Sequence, residues 1–331
     1  GAEFRVFDGG QRFIEVAKAK LGKQARQERL LTVQNELIYQ VVRGYYGVLQ
    51  AEAFVVVQKE SVESLKESLR VSRGRYSAGS VFKTDVLNLE VKLAQAQEDL
   101  IKAQNGVQLA IAALNTAIGK DIIPPTGLPA PAEHGECVDP SKQGMGTTDR
   151  RPELAAAKRM ALLKQREYSG AVRGYSPVVN AFASYDWDTD YHSDPQGSYT
   201  VGVSARWELF TGFRRPSAIA QKKAEWRAAQ RDLEKLRANL QLDLKQAYLR
   251  AVEAFKRLSV VKKSVESAEE ALRITRERYK EGAANITELL TAQVGLTAMR
   301  TRDVAACYDY LTAMSNVRRA RGELIADFGA K

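Results

Sequence analysis

The chain has 331 residues, 44% of them hydrophobic, and a formal net charge of +10 from 50 basic and 40 acidic side chains. With a mean hydropathy of -0.35 it is neither a disordered chain nor a helical membrane bundle, and it contains no apolar run of about 18 residues that would make a conventional transmembrane helix. Basic and acidic residues alternate along helical patterns, so the positive balance is read as solvated helix faces and no nucleic-acid partner is expected.

In chain order, no charged-then-apolar leader opens the sequence. Gly1 to Phe4 reads as appended sequence outside the fold, and residues 5–10 read as the end of a strand closed by Gly9 and Gly10. No proline occurs from about residue 11 to 77, where the pattern is that of one helix roughly 100 Å long at 1.5 Å per residue. Val62, Leu65, Leu69, Ser72 and Tyr76 fall at helical spacing near its end. A turn follows, in which Gly79 is placed for a left-handed helix cap. Thr84 and Asp85 offer an N-cap oxygen and an acid for the positive end of the next helix. That helix keeps a heptad alternation through Leu89, Leu93, Ala96, Leu100, Ala103, Val107, Ala110, Leu114 and Ala117, and its alanine-rich seam predicts a close coiled-coil pair.

Residues 121–150 read as a linker rich in proline and glycine, and Arg151-Pro152-Glu153-Leu154 starts a helix to about Gly170. Next, Val179, Ala181, Ala183, Tyr185 and Trp187 alternate with polar residues, as do Val201, Val203, Ala205, Trp207 and Leu209. The two stretches predict a hairpin over 178–209 whose strands have the length needed to cross a bilayer at a tilt. Tyr185, Trp187, Tyr199 and Trp207 gather near the strand ends as an interfacial girdle would, together with Tyr175 and Tyr191. A hairpin half-buried in a soluble domain alternates in the same way, so both readings stand at this point.

From Phe210 the earlier pattern returns. A shift of 203 positions aligns residues 7–119 with 210–322 without a gap, matching Lys59, Ser61, Val62, Glu63 and Ser64 to Lys262, Ser264, Val265, Glu266 and Ser267. Arg75, Tyr76 and Gly79 meet Arg278, Tyr279 and Gly282, and the second turn continues to Thr287 and Glu288. One structural unit therefore occurs twice. The expected organisation is a first copy over 1–120, the linker at 121–150, and a second copy with its preceding helix and hairpin over 151–331. The fold class is mainly α with a small β part, built on long antiparallel coiled-coil helices.

Several residue types carry no chemistry here. Cys137 and Cys307 are far apart and suggest neither a disulfide framework nor a metal site. His134 and His192 are isolated in loop-like sequence, and no phosphate loop or nucleophile elbow is present. No enzyme activity, metal or cofactor is expected.

The order of elements, with Phe7-Asp8-Gly9-Gly10, the two turns at Arg75–Leu87 and Arg278–Leu290, Arg151-Pro152-Glu153-Leu154 and Tyr175-Ser176-Pro177, resembles the TolC-type outer-membrane factors of Gram-negative bacteria. The resemblance covers nearly the whole chain. It implies a homotrimer sharing one transmembrane β-barrel in outer-membrane lipid and one α-helical barrel through the periplasm. It implies an exit duct for an efflux or type I secretion system, served by a periplasmic adaptor and an inner-membrane pump. The first strand and preceding helix of a family member have no counterpart here, so this chain is read as N-terminally truncated and is not expected to close a barrel alone. The competing class, a soluble coiled-coil scaffold, fits the heptads but has no use for the 179–209 alternation.

Carried over by position, Arg75, Tyr76, Gly79, Thr84 and Asp85 would form the first periplasmic tip, and Arg278, Tyr279, Gly282, Thr287 and Glu288 the second. Such tips form the gate and receive the adaptor. Asp85 and Glu288 are expected to cap helices, to gate, or to do both, with Arg75 and Arg278 as the nearby cations that bridge them. The arginine and second aspartate frequent in the family's second tip map to Ala284 and Thr291, which predicts a gate held by different contacts.

Overall fold

The computed structural model describes residues 1–119, 138–188 and 196–328. His134, Cys137, His192, Tyr191 and most of the linker lie outside them. The elements run β1 (Ala2–Phe7), α1 (Gln11–Ser77), α2 (Lys83–Ile118), α3 (Pro140–Gln143), α4 (Pro152–Arg173), β2 (Val178–Asp188), β3 (Gln196–Arg206), α5 (Arg214–Lys280), α6 (Ile286–Arg321) and α7 (Leu324–Phe328). The chain is thus mainly α with one small sheet.

The repeat is reproduced in the long helices. Helices α1 and α5 have 67 residues each, and α2 and α6 have 36 each. Every boundary of the second pair lies 203 positions after its equivalent. Such agreement follows from local causes, since runs without interior proline between glycine caps set where a helix can start and stop, and Pro216 falls in the first turn of α5, where proline is tolerated. No helix among the described residues is long and apolar enough to cross a membrane.

The chain divides into two compact units, each drawing on both copies of the repeat. Unit 1 comprises residues 1–33 and 149–241 and holds the sheet, α4 and the first parts of α1 and α5. Its strands are antiparallel in the order β1-β2-β3. Ala2 to Phe4 pair with Ala183 to Ala181, so the first residues lie within the sheet and not outside the fold. Extended backbone beside an unpaired strand edge is recruited whatever its side chains. The last expected strand residues, Trp207 and Leu209, fall beyond β3. There the Trp207 indole donates to the Tyr175 carbonyl at 2.9 Å, and Arg215 bonds the Glu208 backbone, ending the alternation.

Unit 2 comprises residues 34–148 and 242–331. Its principal core joins all four long helices: Val62, Leu65 and Leu69 of α1, Val86 and Leu89 of α2, Leu272 and Tyr279 of α5, and Ile286, Leu289, Leu290 and Leu296 of α6. Two smaller clusters pack α5 on α6 through Leu244, Ala247, Ala251, Ala254 and Leu258 against Ala306, Tyr310, Val317 and Ala320. Alanine at this seam permits close helix approach. Tyr310, unlike its apolar equivalent Val107, is accommodated because its hydroxyl donates to the Val138 carbonyl at 2.8 Å.

Candidate functional site

Both tips close in the same way. Ser80 N–H donates to Arg75 O and Gly79 N–H to Tyr76 O, while Ala283 N–H donates to Arg278 O and Gly282 N–H to Tyr279 O. These are paired Schellman bonds, and they require the left-handed φ of 73° at Gly79 and 80° at Gly282.

The helix starts differ from expectation. Neither Thr84 nor Thr287 is an N-cap, because each lies inside the first turn of a helix that begins at Lys83 or Ile286. In the second tip the cap is Asn285, whose side-chain oxygen accepts from Glu288 N–H at 2.9 Å, with Glu288 returning the bond at 3.5 Å. In the first tip Phe82 occupies that position with no side-chain cap. The turns have equal length, so the cap falls three residues after each glycine, and only one copy carries a capping side chain there.

The two arginines also diverge. Arg278 lies 3.7 Å from Glu288 and donates to Ala283 O, staying within its own tip. Arg75 does not bridge Asp85. Its guanidinium donates to the Tyr279 carbonyl at 2.5 Å and sits 5.1 Å from the centre of the Tyr279 ring, tying the first tip to the second. Tyr279 is consequently buried, whereas its equivalent Tyr76 is exposed.

A second asymmetry lies one turn away, at positions the sequence had not singled out. Arg73 and Glu90 form an ion pair at 2.8 Å inside the first hairpin. In the second copy Gln293 stands for Glu90, and Arg276, the equivalent of Arg73, reaches Ser64 at 3.1 Å. Gln293 donates to Ser64 and Ser68 at 3.0 and 2.8 Å. Arg300 completes the set by bonding Glu60 and Glu269. Ser64, Arg276, Gln293, Arg300, Glu60 and Glu269 line a cleft of about 500 Å³ between α1, α5 and α6. The replacement of a glutamate by glutamine at one repeat position was the available signal for them.

The strand aromatics belong to a separate feature of unit 1. The β2–β3 register pairs Ala181 with Val203, Ala183 with Val201 and Tyr185 with Tyr199, while Asn180, Ser184 and Asp186 pair with Ser204, Thr200 and Ser198. The sheet therefore has one apolar and one polar face, with Phe182 the exception, its ring lying over Gly202 on the polar side. The apolar face is bare: Tyr199, Val201 and Val203 are 81%, 80% and 72% exposed. Elsewhere in unit 1, Lys164, Glu167, Lys222 and Glu225 form a network across α4 and α5. There the Lys222 ammonium, then Lys164, holds the Glu225 carboxyl down at about 2.

A two-faced sheet together with two helical hairpins that end in matched tips describes a subunit of an outer-membrane channel of the TolC type. The family model described as outer membrane efflux protein matches residues 1–120 and 147–323, and the chain belongs to that family, which places it in the outer membrane. It is similar to the outer membrane efflux protein BepC of Brucella suis, 24% identical over 325 residues, covering 97% of this chain and 71% of BepC. The outer membrane protein TolC of Vibrio cholerae is 22% identical over 314 residues, covering 91% of this chain and 72% of the relative. Among solved structures, the outer membrane protein VceC of Vibrio cholerae matches with a TM-score of 0.80 at 16% identity, covering 97% of this chain and 78% of that one.

Proposed function

We propose that the chain is a subunit of a homotrimeric exit duct that serves a tripartite efflux or type I secretion system. It acts as a passive conduit, with transport energy supplied by an inner-membrane pump and handed on through a periplasmic adaptor. The observation that carries this reading is the bare apolar face of the sheet. In a soluble scaffold that face would be packed against a core, whereas Tyr199, Val201 and Val203 lie open. A face of this kind suits lipid, with the polar face lining water. Lipid cannot satisfy the free backbone groups along β1 and β3, so in this reading further strands, from other copies and from the native-length chain, close the barrel.

The two tips are the gate and the adaptor's landing site in this reading. Asp85 and Glu288 each recur three times around the closed end, where like charges oppose simultaneous closure unless neutralised. Fractionating cells and reconstituting the native-length protein in planar bilayers tests the proposal. A trimer in the outer-membrane fraction that conducts ions is expected, with Asp85→Ala/Glu288→Ala altering conductance and cation selectivity. A lipid-independent soluble dimer would overturn the duct, and unchanged conductance would reduce both acids to helix-end charges.

A further inference from the structure

In both copies of the repeat the chain bends from strand to long helix through two residues in the left-handed region. Gly9 and Gly10 have φ of 67° and 80°, and their equivalents Gly212 and Phe213 have 59° and 62°. Among the described residues, Phe213 is the one non-glycine residue with positive φ. A bulky side chain is disfavoured there by about tenfold relative to glycine. Packing within the chain does not offset this strain. The Phe213 ring is 72% exposed and meets Phe210 edge-on, with ring centres 5.7 Å apart, and Phe210 is itself 76% exposed.

Uncommitted cations stand at the same bends. The first copy keeps glycine where the second has Phe213, and Arg173 uses the room: its Nη1 lies 3.0 Å from where a Cβ on Gly10 would stand. Arg173 is exposed and makes no side-chain hydrogen bond or ion pair among the described residues. Next to Phe213, the Arg214 side chain is 77% exposed and lies 3.7 Å from Glu208, whose carboxylate already accepts from Arg215 at 3.0 Å. The bends sit at the helix-side end of the bare apolar face, where Phe7 pairs with Val179 and Val179 with Ala205. Strands β2 and β3 have 11 residues each, the length of a tilted bilayer crossing. A bilayer crossed by these strands therefore has one of its headgroup layers at the bends.

We propose that these bends bind an anionic phospholipid of the leaflet facing the helices, with Phe210 and Phe213 entering the acyl layer and Arg173 and Arg214 holding the phosphate. Burial of the Phe213 ring in lipid then offsets the left-handed backbone that nothing inside the chain offsets. Arginine suits the phosphate because its planar fork donates in pairs, and a ring beside a cation matches the two sides of a headgroup boundary. The assignment rests on the channel-subunit reading and adds a lipid ligand to it.

Native mass spectrometry of the native-length protein in detergent, titrated with phosphatidylglycerol, phosphatidylcholine or inorganic phosphate, tests the site. Phosphatidylglycerol is expected to bind about fivefold or more tightly than phosphatidylcholine, and inorganic phosphate at equal concentration is expected not to displace it. Arg173→Gln and Arg214→Gln should each weaken phosphatidylglycerol binding by about fivefold, the effect of one basic side chain at an anionic surface, and leave phosphatidylcholine unchanged. Phe213→Gly places at 213 the residue its equivalent already has, so the bend should still form, while affinity for both lipids falls by about tenfold. Equal binding of the two lipids by the wild type, or full lipid affinity in Phe213→Gly, overturns the site and leaves an ion-conducting trimer, and with it the duct, intact. Displacement by inorganic phosphate would make this a free-anion site, and p-benzoylphenylalanine at position 213 joining chain to chain would assign the patch to a second copy; either result overturns lipid as the ligand. A lipid-independent soluble dimer overturns both the site and the duct.

Discussion

The capping difference between the tips predicts opposite effects at equivalent positions. Asn285 is the N-cap of α6 with φ -89° and ψ 169°, and Phe82 is the N-cap of α2 with φ -83° and ψ 154°. The backbones agree closely enough that an asparagine at 82 can adopt the geometry its equivalent already has. Losing the Asn285 bond in Asn285→Ala should cost about 1 kcal/mol, since the return bond from Glu288 is long at 3.5 Å and adds little. Phe82→Asn should stabilise the start of α2 by up to about 1 kcal/mol, because the ring is 79% exposed and gives up little buried area. Either change corresponds to about a fivefold shift in the local opening equilibrium. Hydrogen exchange of the first-turn amides reads it directly: those after position 285 should exchange faster in Asn285→Ala, and those after position 82 slower in Phe82→Asn. Slower exchange in neither tip, or faster exchange in Phe82→Asn, would refute the claim that cap chemistry separates the two copies.

Two further outcomes follow from the charge networks. Glu225 is held at about 2 against an ordinary 4.5, so its pairing stabilises unit 1 fully above about 4.5 and is lost as pH falls from there towards 2. Lys164 and Lys222 are raised above 10.5, so their share is intact below that value and lost only in stronger base. In Glu225→Gln the acid-side loss of amide protection in α4 and α5 should disappear, and a variant that keeps the wild-type acid profile would exclude this network as its source. In unit 2, Arg319 donates from Nη2 to both carboxylate oxygens of Asp243 at 2.9 and 3.1 Å and from Nε to Asn316 Oδ1 at 2.8 Å, while Nη1 approaches Glu36 at 3.8 Å and the guanidinium lies 5.4 Å from the Tyr39 ring centre. Arg319→Ala should cost about 2 kcal/mol, below the cost of breaking a fully buried pair because Asp243 keeps some water, and Arg319→Lys should recover only part of it. Denaturant unfolding of the detergent-solubilised protein measures both variants, and equal stability of lysine and wild type would refute the role of the planar fork.

Much of the fold was legible because its causes are local. Helix length, the glycine-capped turns and the strand alternation all depend on neighbouring residues, and the 203-residue offset exposed the duplication without any structure. The N-caps were misplaced because threonine next to an acid looks like a cap in sequence, while the turn length set by Gly79 and Gly282 moves the cap to Phe82 and Asn285. The pairing of residues 2–4 in β1 was invisible for a related reason: strand pairing is a backbone matter, and a short edge strand carries little side-chain signal.

By itself the sequence determined that this protein is one helical unit written twice, with two matched turns and a hairpin of bilayer-crossing length between the copies. Only the tertiary structure decided how the copies use identical residues. Arg75 and Arg278 share a motif, as do Tyr76 and Tyr279, yet one arginine reaches across to the other copy's tyrosine and one stays at home. The reason is packing through unlike faces: once the second hairpin lies on the first, equivalent side chains no longer have equivalent surroundings, and burial separates what the repeat made alike.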